Sequence, residues 1–201
     1  MTATRKTTAS KTRNLTVTAM LGAVASVLMF ISFSVPLMPS FIKLDFSELP
    51  ALLASFALGP WYGVLVCLIK NLVNLPFTTT GGVGEASNFL LGVCFVFGAG
   101  VIYRKHKTRK AALLGATAGA ACMAIASVFT NYFVIYPLYA KLLVPMDVIL
   151  DLYRAINPSV SGLMDALLKF NLPFTFIKGM CSVAISYFIY KPLSPILKGK
   201  R

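Results

Sequence analysis

Residues 47–75 read SELPALLASFALGPWYGVLVCLIKNLVNL. As one straight helix this stretch would reach roughly 43 Å at about 1.5 Å per residue, more than the ~30 Å hydrocarbon core of a bilayer requires. Gly59 and Pro60 stand at its middle; glycine ends helices readily and proline removes a backbone donor. The stretch therefore reads as a hairpin of two short helices, 47–58 and 61–75. A tilted or broken single span is the alternative, and the charge distribution bears on the choice.

Further apolar runs cover 15–37, 86–103, 111–139 and 171–190. With the hairpin they make six. The 201 residues are 57% hydrophobic and only 12% charged, against roughly 25% charged in an ordinary soluble domain. Lipid is the only solvent that suits such a chain. The first run is longer than the ~7–15 residue core of a signal peptide and has no obvious cleavage site after it, so it reads as a transmembrane helix. The expected fold is an all-α integral membrane protein, six transmembrane helices in a compact bundle. Residues 1–14 form a basic tail, 15–190 the membrane domain and 191–201 a second basic tail.

Thirteen of the nineteen basic residues fall in three clusters: Arg5, Lys6, Lys11 and Arg13; Arg104, Lys105, Lys107, Arg109 and Lys110; Lys191, Lys198, Lys200 and Arg201. The clusters share one side only if an even number of spans separates them, which the hairpin supplies. The positive-inside rule then makes both termini cytoplasmic. All six acidic residues, Asp45, Glu48, Glu85, Asp147, Asp151 and Asp165, fall at or near the opposite face. The net charge of +13 therefore points to membrane topology and not to nucleic acid.

Several chemistries have no residues to run on. Cys67, Cys94, Cys122 and Cys181 stand singly in apolar stretches, and the one histidine, His106, lies in a basic turn, so no metal site is expected. There is no GxSxG elbow, HExxH helix or GxxxxGK[ST] phosphate loop, so no catalytic residue is assigned. A stand-alone transporter would usually show inverted repeats, and none is visible.

The informative strings are LDFSELPALLASFALGP from Leu44, the Lys70-Asn71 pair, TTTGGVGE from Thr78 and PFTFIKG from Pro173. In combination they resemble the riboflavin-binding S components of energy-coupling-factor vitamin importers. The resemblance spans nearly the whole chain. It implies a substrate-capture subunit in the bacterial cell membrane, binding riboflavin from outside as transported ligand and using no cofactor. It further implies a transmembrane scaffold subunit and two cytoplasmic ATPase subunits as partners. S components for thiamine, biotin or folate are the alternatives within the class.

Lys178 lies inside the last apolar run, where an ammonium costs roughly 2.5–3.5 kcal/mol on insertion scales. Either it faces a cavity or it snorkels to the interface. The resemblance makes Lys178 and Thr175 substrate contacts, although relatives often carry asparagine where Thr175 stands. Asn131 offers both donors and acceptors to a flavin edge or to a neighbouring helix. In the first outer loop, Leu44 and Phe46 would lie against the ring system and Asp45 would reach a ribityl hydroxyl; a solvated loop is the plain alternative. Thr79 and Gly81 offer a hydroxyl and a closely approachable backbone, Tyr132 a ring to stack. Lys70 and Asn71 read as structural partners of Glu48 or Glu85, and Glu85 as a helix-start carboxylate. Ala19 with Ala23 and Gly22 with Ser26 form small-xxx-small pairs, suited to docking the scaffold or to internal packing.

Overall fold

In the computed structural model the backbone is described for residues 2–198 and the side chains for residues 11–189. The side chains of Arg5, Lys6, Lys191, Lys198, Lys200 and Arg201, on which two of the basic clusters rest, lie outside that range. The elements in order are α1 (Thr2–Phe30), a two-residue strand β1 (Phe33–Ser34), β2 (Lys43–Leu44), α2 (Glu48–Ala57), α3 (Pro60–Asn74), a 3-10 turn (Leu75–Phe77), α4 (Val83–His106) and α5 (Arg109–Thr130). A π turn (Asn131–Ile135) leads into α6 (Tyr136–Leu142); then come α7 (Met146–Ile156), α8 (Leu163–Ala166), a second π turn (Leu167–Asn171) and α9 (Leu172–Lys198).

Among the described residues, four continuous helices are long and apolar enough to cross a bilayer: Lys11–Phe30, Val83–His106, Arg109–Leu142 and Leu163–Ile189. The two segments read as short helices fall below that length, α2 with 10 residues and α3 with 15, roughly 15 and 22 Å of helix. They nonetheless form the hairpin read from the sequence. Gly63 lies against Ser55 and Ala51, while Lys70 reaches back to Ser47 and Glu48, so the two helices run antiparallel. Gly59 turns the chain at φ 125°, a backbone region that residues with a Cβ rarely adopt.

The hairpin sits in the middle of the molecule. Nine residues of α2, Glu48 to Phe56, are buried, and the helix packs on α1, α3, α4 and α9. Such a helix is shielded from lipid by its neighbours, so it needs neither full span length nor an apolar surface all round. Its Ser55 hydroxyl donates across to the Val96 carbonyl at 2.6 Å. A core of Leu52, Val66, Phe95, Val96, Ala99 and Ala120 surrounds it.

Other boundaries also move. The first helix stops at Phe30 and not near residue 37, because Ser32, Ser34 and Pro36 come next and β1 pairs with β2 instead, with Phe33 opposite Leu44 and Ser34 opposite Lys43. The fifth and last apolar runs extend further than hydropathy shows, to Leu142 and back to Leu163. Between them α7 lies as a surface helix on the end of the bundle that holds the acidic residues. Its Ile149 and Tyr153 are buried in a second core with Tyr136, Val160 and Leu167.

Candidate ligand-binding site

At the end of the bundle that holds the acidic residues, α1, α3, α4, α5 and α9 leave a cavity of about 340 Å³ between them. Three local departures from regular helix shape it. The β1–β2 ribbon brings Phe41 over the cavity, where its ring packs on Tyr136, Tyr139 and Tyr153 with centroids 6.2, 5.6 and 6.4 Å away. The first π turn carries Asn131 and Ile135 into the wall; such turns add a residue to a helical repeat and re-aim the side chains beyond it. The second π turn ends at Asn171, whose amide donates to the Tyr136 hydroxyl at 3.1 Å and accepts from Tyr153 at 2.6 Å. Tyr136 and Tyr153 also share a hydrogen bond. That closed triad ties the surface helix α7 to both long helices that form the wall.

The polar side of the cavity is a buried chain of charges. Lys178 of α9 meets Asp45 of the loop before α2 at 2.8 Å, with the two side chains 11% and 5% exposed. Asp45 accepts the Ser47 backbone N–H at 2.9 Å and its hydroxyl as well. Lys70 of α3, fully buried, donates to the Ser47 hydroxyl at 2.6 Å and pairs with Glu48 at 2.7 Å. Two cations and two anions are thus linked through one serine, so neither lysine is an uncompensated charge. Burial by itself would raise the Asp45 carboxyl, but the ammonium groups of Lys178 and Lys70 outweigh it and hold it below the usual carboxylate range.

A third wall is the loop before α4. Glu85 accepts the Thr78 hydroxyl at 2.7 Å and the Thr80 hydroxyl at 3.2 Å. Those threonines in turn accept the N–H groups of Gly82 and Gly84 at 3.2 and 3.0 Å. The loop is self-contained, and Glu85 sits in the first turn of α4, where a carboxylate is favoured.

Of the nine binding candidates read from the sequence, Asp45, Thr79, Asn131, Thr175 and Lys178 line the cavity and Leu44, Phe46, Gly81 and Tyr132 do not. Leu44 is held in the β ribbon and Phe46 packs toward Phe33. Gly81 is at the exposed tip of its loop, and Tyr132 stacks on its neighbour Phe133. The π turn accounts for Tyr132: it directs Asn131 and Ile135 inward and leaves the residue between on another face. Cavity residues the sequence reading passed over include Asn74, Asn88, Met123 and Tyr139. Asn74 and Asn88 carried the same signal that singled out Asn131, an amide within an apolar helix. Among the docking candidates Ala19 and Ala23 are exposed, whereas Gly22 and Ser26 are buried. A Cβ on Gly22 would come within 2.8 Å of Ile69, and the Ser26 carbonyl accepts from Asn74. That pair packs α1 on α3.

A partly open cavity walled by rings on one side and balanced charges on the other, within a bundle of lipid-crossing helices, defines a membrane-embedded solute-binding protein. The model of the family described as "ECF transporter, substrate-specific component" matches residues 13–190. The chain belongs to that family, which is one of transporter components and not of enzymes. It is 35% identical over 194 residues to the riboflavin transporter RibU of Staphylococcus aureus (strain TCH60), covering 96% of this chain and 97% of that protein. It is 31% identical to the riboflavin transporter FmnP of Bacillus subtilis (strain 168), covering 95% and 97%. A solved structure described as the S component of a bacterial ECF transporter superposes with a TM-score of 0.74 at 33% identity, over 94% of this chain and 99% of that one.

Proposed function

We propose that this chain captures riboflavin in the cavity between the outer ends of α1, α3, α4, α5 and α9 and is the substrate-binding subunit of an ATP-driven importer. The observation that carries the reading is the cavity itself, in a chain whose relatives are named riboflavin transporters. At about 340 Å³ it falls within the usual range for small-molecule pockets. It sets the rings of Phe41, Tyr136, Tyr139 and Phe174 near the polar groups of Asn131, Thr175 and Lys178. A flat heteroaromatic ring with polar edges and a polyhydroxyl tail asks for both kinds of wall.

Asn131, Thr175 and Lys178 serve the ring edge, Asp45 and Thr79 the tail, and Phe41 closes over both. Leu44, Phe46, Gly81 and Tyr132 shape the rim. In this reading the two short helices of the hairpin are the second and third of six membrane segments in residues 15–190, with both basic tails in the cytoplasm and the cavity mouth outside; the clustering of basic residues supports it. Exposed Ala19 and Ala23 on α1 offer a flat strip for the scaffold subunit, through which two ATPase subunits would act.

Equilibrium titration of the detergent-purified protein with riboflavin, monitored by quenching of flavin fluorescence, tests the reading. Lys178→Ala and Asn131→Ala should each weaken binding by about 10- to 100-fold, the scale of a lost hydrogen bond to a charged or well-placed polar group. Wild-type protein that leaves the fluorescence unquenched, or unchanged affinity in both variants, would refute the assignment.

A further inference from the structure

At the end of the bundle away from the cavity lies a second hollow, a groove of about 310 Å³ where the start of α3 meets the end of α4. Pro60, Trp61, Phe97 and Val101 form its apolar floor, and Arg104 and Lys105 stand at its end. Trp61 is 68% exposed and packs edge-on against Phe97 with centroids 5.2 Å apart. We infer that this groove is a binding site for an anionic phospholipid, its phosphate held by Arg104 and Lys105 and an acyl chain laid along Trp61, Phe97 and Val101.

Charge complementarity identifies the occupant. Arg104 and Lys105 are exposed and have no acidic or hydrogen-bond partner among the described residues. The chain's six acids all lie at the other end: Asp45, Glu48 and Glu85 at the cavity, Asp147 and Asp151 on α7, and Asp165 on α8. The carbonyl end of α4 supplies only about half a negative charge, yet Arg104, Lys105 and His106 share its last turn. The first turn of α3 adds no acidic residue. No carboxylate of the described residues meets this pair, which leaves it open to an anion from outside the chain. An arginine fork beside a lysine suits a phosphate. A tryptophan at the boundary of an apolar band sits at headgroup depth, and basic pockets between membrane helices take anionic headgroups. Soluble anions would use the cations but leave the apolar floor empty; a phospholipid covers both.

Trp61 is the only tryptophan, so its fluorescence reports on the groove without labelling. The ligand-free full chain, in nanodiscs of unlabelled phosphatidylcholine, is supplied with acyl-brominated phosphatidylglycerol or acyl-brominated phosphatidylcholine. Saturable quenching at about fivefold or more lower mole fraction of the glycerol lipid is expected, weakening as salt rises. Arg104→Gln with Lys105→Gln should abolish the preference, and Arg104→Lys with Lys105→Arg should retain it. Equal quenching by both lipids in the wild type, or a preference that survives the neutral pair, overturns the inference. So does a Trp61 that discriminates between no lipids but is shielded when a scaffold subunit is added, which would assign the groove to protein. Riboflavin binding at the opposite end should be unchanged in the neutral pair, so this site and the cavity stand or fall separately.

Discussion

The ion pair of Lys178 and Asp45 joins residues 133 positions apart in sequence, and it fixes how the loop before α2 sits on α9. Removing one member of a buried pair leaves the other uncompensated, which costs about 3–5 kcal/mol, whereas removing both together is often nearly neutral. Lys178→Met or Asp45→Asn alone should thus lower the melting temperature sharply, and the double variant should recover most of the loss, measured by thermal unfolding in detergent. If the two single effects simply add, the pair is not coupled. The same contact sets a pH dependence. A carboxyl held below its ordinary value of 3.8 contributes stability above that value, and the contribution is lost only as pH falls through the lower folded value. Melting temperature should accordingly show no Asp45 transition from about pH 9 to pH 5 and should fall only in strong acid. Lys178 was legible in the sequence as a costly charge in an apolar helix. Its partner was not, because nothing in a local pattern states which of six acids folds back onto it.

At the scale of elements, the small residues of α5 divide by face. Gly115, Ala116, Gly119 and Ala120 are buried and Ala118 is exposed. A Cβ on Gly119 would meet the Phe95 carbonyl oxygen at 2.6 Å and Ala99 at 3.2 Å, so α4 and α5 touch backbone to backbone there. Gly119→Leu should force the helices apart and destabilise by about 1–3 kcal/mol or more, while Ala118→Leu, facing outward, should leave the melting temperature nearly unchanged. Comparable losses in both would mean that the close crossing at Gly119 does not set the cost, since helix preference alone favours leucine over glycine and hardly separates it from alanine. The packing role of this run was readable from its spacing. The π turns were only half legible: Asn131–Ile135 and Leu167–Asn171 contain no proline or glycine, but Pro137 and Pro173 each stand two residues beyond and withdraw the N–H that the carbonyl of residue 133 or 169 would accept, which announces a break though not its form. An extra residue in a helical turn is selected by what the neighbouring helices and the Tyr136, Tyr153 and Asn171 triad require, which only the assembled bundle supplies. The position of Tyr132 beside the cavity lining has this cause, since a regular helix projects residues 131 and 132 differently from one with an added residue. The early end of α1 has the same origin, as hydropathy continues to residue 37 while the backbone has already turned to pair β1 with β2.

For the whole molecule the governing feature is charge separation along the bundle. The acids gather at the cavity end, and the turn between α4 and α5 concentrates Arg104, Lys105, Lys107, Arg109 and Lys110 at the other. Both α2 and α3, short as read from the sequence, fall short of a bilayer's width and are accommodated by burial among longer neighbours. Parity survives the difference: an antiparallel hairpin returns the chain to the side it left, whether or not each arm spans fully. The basic turn should then face the cytoplasm under the positive-inside rule and the loop holding Thr79 should face outward. Single cysteines at Lys107→Cys and Thr79→Cys, in a background lacking the four native thiols, put this to a membrane-impermeant maleimide on intact cells. Thr79→Cys should label at once and be protected by riboflavin, since it lines the cavity. Lys107→Cys, exposed at the tip of its turn, should label only after permeabilisation. The reverse pattern would turn the cavity toward the cytoplasm and make capture from outside impossible, whereas outward labelling of Thr79→Cys without protection would keep the orientation and remove the ligand from this pocket.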